Sequence, residues 1–162
     1  MDDATVIGVM ADSHDYLPAI KKAVDFFNEH NVDIVLHAGD IVSPFTAREF
    51  KYLKSSFIGI FGNNDGDKIH LGHFFADIGK LYADPYLGSL GNCSIAVTHT
   101  PEIVHSLAMK KDIVIYGHTH EQDISYEPTL ILNPGECCGY LSGHHTVALL
   151  YPNEMQADII TL

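Results

Sequence analysis

The chain has 162 residues, 46% of them hydrophobic and 19% charged, a composition that suits one folded domain and excludes a disordered chain. No apolar run approaches the roughly 18–20 residues of a membrane span. The formal net charge is −12 and Arg48 is the one arginine, so no basic patch for long nucleic acid can be assembled.

Val6–Met10 is predicted as a first strand, apolar on both faces. Pro18 opens a helix to about Glu29, with Ile20, Val24 and Phe27 as an apolar stripe at helical spacing. Asp33–His37 is a second strand. Ser43 is placed to cap a helix that has Pro44 at its first position and runs to about Leu53. Phe57–Phe61 is a third strand and residues 67–79 a shorter helix. Ser94–Thr98 and Asp112–Tyr116 are strands on either side of a helix at Pro101–Met109. Beyond them only short strands are expected, at Ile124–Tyr126, Leu130–Asn133, His145–Tyr151 and Gln156–Thr161. A βαβαβ start with a β-rich end predicts an α/β fold of two packed sheets with helices outside, in one domain over 1–162.

Five of these strands end in polar clusters: Asp12-Ser13-His14, Gly39-Asp40, Gly62-Asn63-Asn64-Asp65, His99, and Gly117-His118-Thr119-His120. In open α/β sheets the carboxyl ends of strands meet at one crevice. The side chains so gathered are Asp12, His14, Asp40, Asn63, His99, His118 and His120. They are oxygen and imidazole donors without a thiolate, which suits Mn²⁺, Fe, Co²⁺, Ni²⁺ or Zn²⁺ at a working site better than a structural zinc. Seven donors are too many for one ion and fit two, provided one carboxylate bridges. Gly39 and Gly62 let the backbone turn tightly and aim the next side chain inward.

Other residues invite a plainer reading. His37 is either a hydrogen-bonded core residue or support for a ligand. Asp65 either orients a ligand or caps a turn. His70 and His73 read as a solvated helix face, and His144 and His145 as a surface turn. Ser13 and Thr119 bond either substrate or backbone. The three cysteines, Cys93, Cys137 and Cys138, lack a C-x-x-C spacing and read as buried small hydrophobes in a reducing compartment. Acidic Asp2 and Asp3 lead directly into an apolar strand without a signal-peptide pattern, so a cytoplasmic protein is expected.

The series D-x-H, G-D, G-N-x-D, H and G-H-T-H, running from Asp12 to His120, resembles the calcineurin-like metallophosphoesterases, and Ile131–Glu136 (I-L-N-P-G-E) resembles their small bacterial and archaeal phosphodiesterase branch. The resemblance implies a four-layer αββα sandwich of two mixed sheets flanked by helices. It implies one metal on Asp12, His14, Asp40 and His120 and a second on Asp40, Asn63, His99 and His118, with Asp40 bridging. Two divalent ions are expected, Mn²⁺ first, with Ni²⁺, Fe, Co²⁺ and Zn²⁺ as alternatives; Asp40, Asn63 and His99 are expected to be catalytic, and no organic cofactor is expected. Ions about 3.5–4 Å apart would share a hydroxide that attacks phosphorus in line. With Asp12, Asp40 and that hydroxide, the centre carries a charge of about +1, which attracts a small phosphodiester without arginine.

Two departures from the family pattern matter. Many relatives have His at the place of Asn64, where it protonates the leaving group; Asn cannot, so good leaving groups, or a water acting as acid, are favoured over poor alkoxide leaving groups, and diesters over monoesters. Many have Gly after the equivalent of His99, where this chain has Thr100 and Pro101, a bulkier loop that narrows the approach. The rival reading is a metal-poor protein–protein scaffold of the retromer-subunit type; the seven competent donors favour an enzyme. A mononuclear 2-His-1-carboxylate oxygenase would leave four donors without a task. The expected partner is a small phosphodiester, with no long nucleic acid and no membrane. The oligomeric state is open, a homo-oligomer being what the resemblance allows.

Overall fold

The computed structural model describes residues 5–126 and 128–162, so Asp2 and Asp3 lie outside it. Strand β1 (Ile7–Met10) pairs in parallel with β2 (Ile34–His37) and antiparallel with β10 (Thr146–Tyr151). The six-stranded sheet is completed by β3 (Ser56–Ile60), β4 (Lys80–Tyr82) and β11 (Gln156–Thr161), in the order β11-β10-β1-β2-β3-β4. The second sheet has the order β5-β6-β7-β9-β8, from β5 (Tyr86–Leu90), β6 (Cys93–Thr98), β7 (Ile113–Tyr116), β9 (Leu130–Pro134) and β8 (Gln122–Ser125).

Strand alternation divides the core in two. From β1, Ile7 and Val9 point into the layer between the sheets, where they meet Leu36, Ile95, Ile113, Leu132 and Leu150. Met10 points the other way, toward Ile20, Val24 and Phe27 of α1 (Leu17–Glu29), with Phe50, Phe57 and Phe75 packed beside them. The helices α2 (Ala47–Phe50) and α3 (Lys68–Phe75) share that outer layer, and α4 (Val104–Ala108) lies against β7 of the second sheet. The result is the expected four-layer αββα sandwich. Among the described residues no helix is long and apolar enough to cross a membrane.

The first helix matches its expected span, and the other three are shorter than the sequence suggests. The segment expected to run from Ser43 to Leu53 is a 3-10 turn, Pro44–Thr46, followed by α2. Ser43 does not cap it with its side chain: its hydroxyl donates to Asp15 Oδ2 (2.6 Å) and its N–H to Asp15 Oδ1 (2.8 Å), which ties two loops together. Pro101–Met109 likewise divides into a 3-10 turn, Pro101–Ile103, and α4. The 67–79 helix ends at Phe75, and the chain turns into β4. β4 and β5 escape the sequence pattern because they are half-exposed edge strands, and Gly88 interrupts β5.

Candidate metal centre

The carboxyl ends of β1, β2 and β3 in one sheet and of β6 and β7 in the other converge on a single crevice, as the strand directions require. All seven expected donors lie there. The backbone is bent to place them: Asp12, His14, Asp40, His118 and His120 have φ of 51°, 38°, 60°, 76° and 62°. Non-glycine residues avoid this region, and their clustering marks a constrained site. Gly39 and Gly62 allow close approach. A Cβ on Gly62 would lie 2.2 Å from Asp40 Oδ1, and one on Gly39, whose φ is 95°, would lie 2.6 Å from His99 Nδ1.

Asp12 Oδ1 faces three imidazoles, with His120 Nε2 at 3.5 Å, His14 Nε2 at 3.7 Å and His99 Nε2 at 3.9 Å. Asp40 Oδ2 has His99 Nε2 at 3.2 Å and His14 Nε2 at 3.4 Å. Asn63 Oδ1 lies 3.0 Å from His99 Nε2 and 2.9 Å from His118 Nδ1. The other oxygen of Asp12 accepts the His118 N–H at 3.0 Å.

Asp12 is fully buried and Asp40 nearly so, and among the described residues neither pairs with a lysine or arginine. Buried carboxylates without a cation are expensive. Asp12 Oδ1 and His14 Nε2 are moreover buried without a hydrogen-bond partner. Three groups of three possible donors meet within ion-binding range; two, Asp12–His14–His120 and Asp12–Asp40–His99, consist of expected donors, and the third is His120–Glu136–Cys138. The residues therefore fit divalent cations of the N/O-binding type.

The titration behaviour agrees. Burial would raise the Asp40 carboxyl, yet its bonds to His99 and Asn64 hold it well below the usual carboxylate range. Burial would lower His99, but the Asp40 bond and the charges of Asp12 and Asp40 push it up to about 9. His14 is raised chiefly by its contact with Asp12, against the opposing effect of burial. The cluster draws positive charge.

Around the donors stands a ring of positioning residues. Glu136 Oε2 accepts from His120 Nδ1 at 2.6 Å, and its other oxygen is held by the N–H groups of Leu141 and Ser142. Burial would raise Glu136, but these bonds, His120 first, pull it down to about 2. Asp65 accepts from the N–H of Asp40 (3.0 Å), Val42 (2.6 Å) and Gly62 (2.6 Å), so it both caps a turn and orients the Asp40 loop. Asp84 accepts from His99 N–H (3.0 Å) and from the Thr100 hydroxyl (2.8 Å).

His37 is fully buried, and burial lowers it to about 3, so it is neutral. Its Nδ1 accepts from Gly39 N–H at 3.2 Å, which leaves Nε2–H to donate to Ser13 Oγ at 2.9 Å. Ser13 is thereby committed to the scaffold, as is Thr119, whose hydroxyl oxygen accepts from Asn133 Nδ2 at 3.0 Å. His70 and His73 remain on the exposed face of α3, and His144 is exposed. His145 differs from expectation: it is half-buried, stacks on Tyr16 at 5.3 Å and bonds Cys137 O at 3.0 Å. Cys137 and Cys138 are buried as expected, whereas Cys93 is half-buried.

Sequence reasoning passes over Asp84 and gives Glu136, the last residue of the I-L-N-P-G-E segment, no role. A lone acid after a turn has no periodic signal, and its partner lies 16 or 15 residues away. Beside Asn63, His99 and His118 opens a cavity of about 290 Å³ that Thr100 and Pro101 help to wall. A larger cavity, about 710 Å³, lies between α1 and the 49–54 segment and shares no residue with the donors.

The family profile described as Calcineurin-like phosphoesterase superfamily domain matches residues 6–155. A phosphodiesterase of Methanocaldococcus jannaschii is 41% identical over 151 residues, covering 89% of this chain and 91% of its own. A solved archaeal phosphodiesterase superposes with a TM-score of 0.91 at 38% identity, over 98% of this chain and 100% of that one. Vacuolar protein sorting 29 from Cryptosporidium parvum has a TM-score of 0.70 at 16% identity, over 99% of this chain and 98% of that one, a likeness of fold alone.

Proposed function

The chain belongs to the calcineurin-like phosphoesterase superfamily, and from that premise we propose that it hydrolyses small phosphodiesters at a centre of two divalent ions, Mn²⁺ first among them. The observation that carries this reading is the pair of buried carboxylates, Asp12 and Asp40, ringed by imidazoles and without a cationic side chain. Asp12, His14, Asp40 and His120 would hold one ion, and Asp40, Asn63, His99 and His118 the other. Bound there, such ions supply Lewis acidity and lower the pKa of water from about 15.7 toward about 7.

The protein's own groups prepare this centre. His99 Nδ1 lies 2.7 Å from Ala38 O and His120 Nδ1 lies 2.6 Å from Glu136, so both carry Nδ1–H and would offer Nε2 to a bound ion, His99 giving up its second proton on binding. Asp40 faces both donor sets and is the group to be shared. Asn64 donates its side-chain amide to Asp40 Oδ2 (2.8 Å) and its N–H to Asp40 Oδ1 (2.9 Å), which makes it a positioning residue rather than a proton donor. Asn63 and His99 line the adjoining cavity, Asp40 stands beside His99 at 3.2 Å, and the three would be the catalytic set.

The net charge of −12 supports a small substrate over long nucleic acid. The match over 6–155 supports a single domain spanning 1–162, and the unpaired cysteines support a reducing cytoplasm. The decisive experiment is hydrolysis of bis(4-nitrophenyl) phosphate by chelator-treated protein with and without Mn²⁺, set against 4-nitrophenyl phosphate. Metal-dependent turnover that favours the diester supports the reading; a folded protein inert with every divalent metal tried returns the scaffold reading.

A further inference from the structure

Asn64 stands where many relatives carry a proton-donating His; it cannot give up a proton, and it already donates to Asp40. The 290 Å³ cavity beside the donors holds a group that can meet the charge on a departing ester oxygen. Phe61, Thr100 and Pro101 wall it next to Asn63, His99 and His118, and among the described residues Lys68 is the one lysine or arginine in its lining. Lys68 begins α3, and its ammonium stands 5.6 Å from the centroid of the Phe61 ring, on the side chain that forms the apolar wall. Two carboxylates, Asp84 and Glu102, also line the space. Asp84 is engaged by His99 and Thr100.

We propose that this cavity receives the leaving substituent of the diester and that Lys68 stabilises the oxygen that departs; the inference rests on the phosphodiesterase reading. A water oxygen bonds to phosphorus, one of its protons passing to solvent and the other staying on the monoester, while the bond to the ester oxygen breaks and its electron pair stays on that oxygen. The Lys68 ammonium donates a charge-assisted hydrogen bond to it and keeps its own proton. The freed oxide takes a proton from solvent. The volume, at the low end of the roughly 300–1,000 Å³ of ligand pockets, fits one small substituent. Phe61 and Pro101 favour an aryl or heterocyclic group, and Asp84 with Glu102 disfavour one that carries a further phosphate.

The test uses a series of ring-substituted diaryl phosphates with Mn²⁺, comparing the wild type with Lys68→Met, Lys68→Arg and Glu102→Gln. Lys68→Met should lower kcat/KM on the order of tenfold for good leaving groups and more for poor ones, which steepens the dependence on leaving-group pKa. Lys68→Arg should restore the wild-type slope. Lys68 is exposed, so thermal unfolding should not change. An unchanged slope in Lys68→Met, or a steeper one in Glu102→Gln alone, overturns the assignment. Binding of 4-nitrophenolate, followed by its absorbance before and after chelator treatment, provides a readout independent of turnover. Weaker binding to Lys68→Met supports the proposal and equal binding opposes it. Should the wild type hydrolyse no diester, the phosphodiesterase reading fails, while this titration still judges Lys68.

Discussion

Glu136 and His120 are joined by a 2.6 Å hydrogen bond between Oε2 and Nδ1, and the opposite ring nitrogen of His120 faces Asp12 Oδ1 at 3.5 Å. The carboxylate thus fixes which nitrogen His120 offers to the centre. It is itself nearly fully buried and anchored by the Leu141 and Ser142 amides and by the Cys138 thiol, which donates at 3.3 Å.

Glu136→Gln should therefore weaken Mn²⁺ affinity or activity by about 10–100-fold, the usual cost of losing such a supporting contact. Titration of the chelator-treated variant with Mn²⁺ measures the affinity, and wild-type values would remove Glu136 from the supporting set.

Asp40→Asn should cost more than that 10–100-fold, because Asp40 Oδ2 lies beside both His14, of one proposed donor set, and His99, of the other. Metal content by elemental analysis and turnover of bis(4-nitrophenyl) phosphate are the two readouts. Full metal content with full activity would exclude a shared Asp40.

Loading the centre should stabilise the fold. At about 100 times its Kd, a ligand confined to the native state adds about 2.7 kcal/mol. For a chain of this length that raises Tm by roughly 5–11 °C. Scanning calorimetry of chelator-treated protein with and without Mn²⁺ checks it, and no shift at saturating metal would argue against binding at buried carboxylates.

His37 sets a pH dependence. Burial is the main cause of its lowering from 6.5 to about 3; His99 and His14 reinforce it, and Asp40 opposes it. The unfolded chain binds more protons than the folded one between these values, so stability falls as pH drops from about 6.5 toward about 3. In His37→Gln, urea unfolding of the metal-free protein across that window should show a shallower loss than in the wild type.

Phe27 of α1, fully buried with its ring against Gly8 of β1, anchors the outer core layer. Phe27→Ala should destabilise by about 3–5 kcal/mol through lost burial and a residual cavity. Urea unfolding at neutral pH measures it, and a change under about 1 kcal/mol would mean that the layer collapses to fill the gap.

The donors were legible because each follows an apolar strand, and strand direction alone sends their loops to one crevice. Asp12, Asp40 and His99 illustrate this, each within three residues of a strand end. The supporting carboxylates were less so. Asp65 has a place in the G-N-x-D pattern, but Glu136 and Asp84 acquire meaning only when β9 and the loop after β4 are brought to the donors. The edge strands β4 and β5 were invisible for a different reason: with one paired side and half-exposed faces they need little apolar patterning. The overlong helices reflect side chains such as Ser43, whose bond to Asp15 competes with capping.

The donors divide between the two sheets: Asp12, His14, Asp40 and Asn63 follow strands of one, and His99, His118 and His120 follow strands of the other. Ions seated among them would act as a non-covalent cross-link, closing a loop from Asp12 to His120 that spans most of the chain. Such a link resists the sliding or parting of the sheets, so metal loss would loosen the sandwich at this edge first. Metal occupancy and slow amide exchange at the ends of β1 and β7 should therefore rise and fall together.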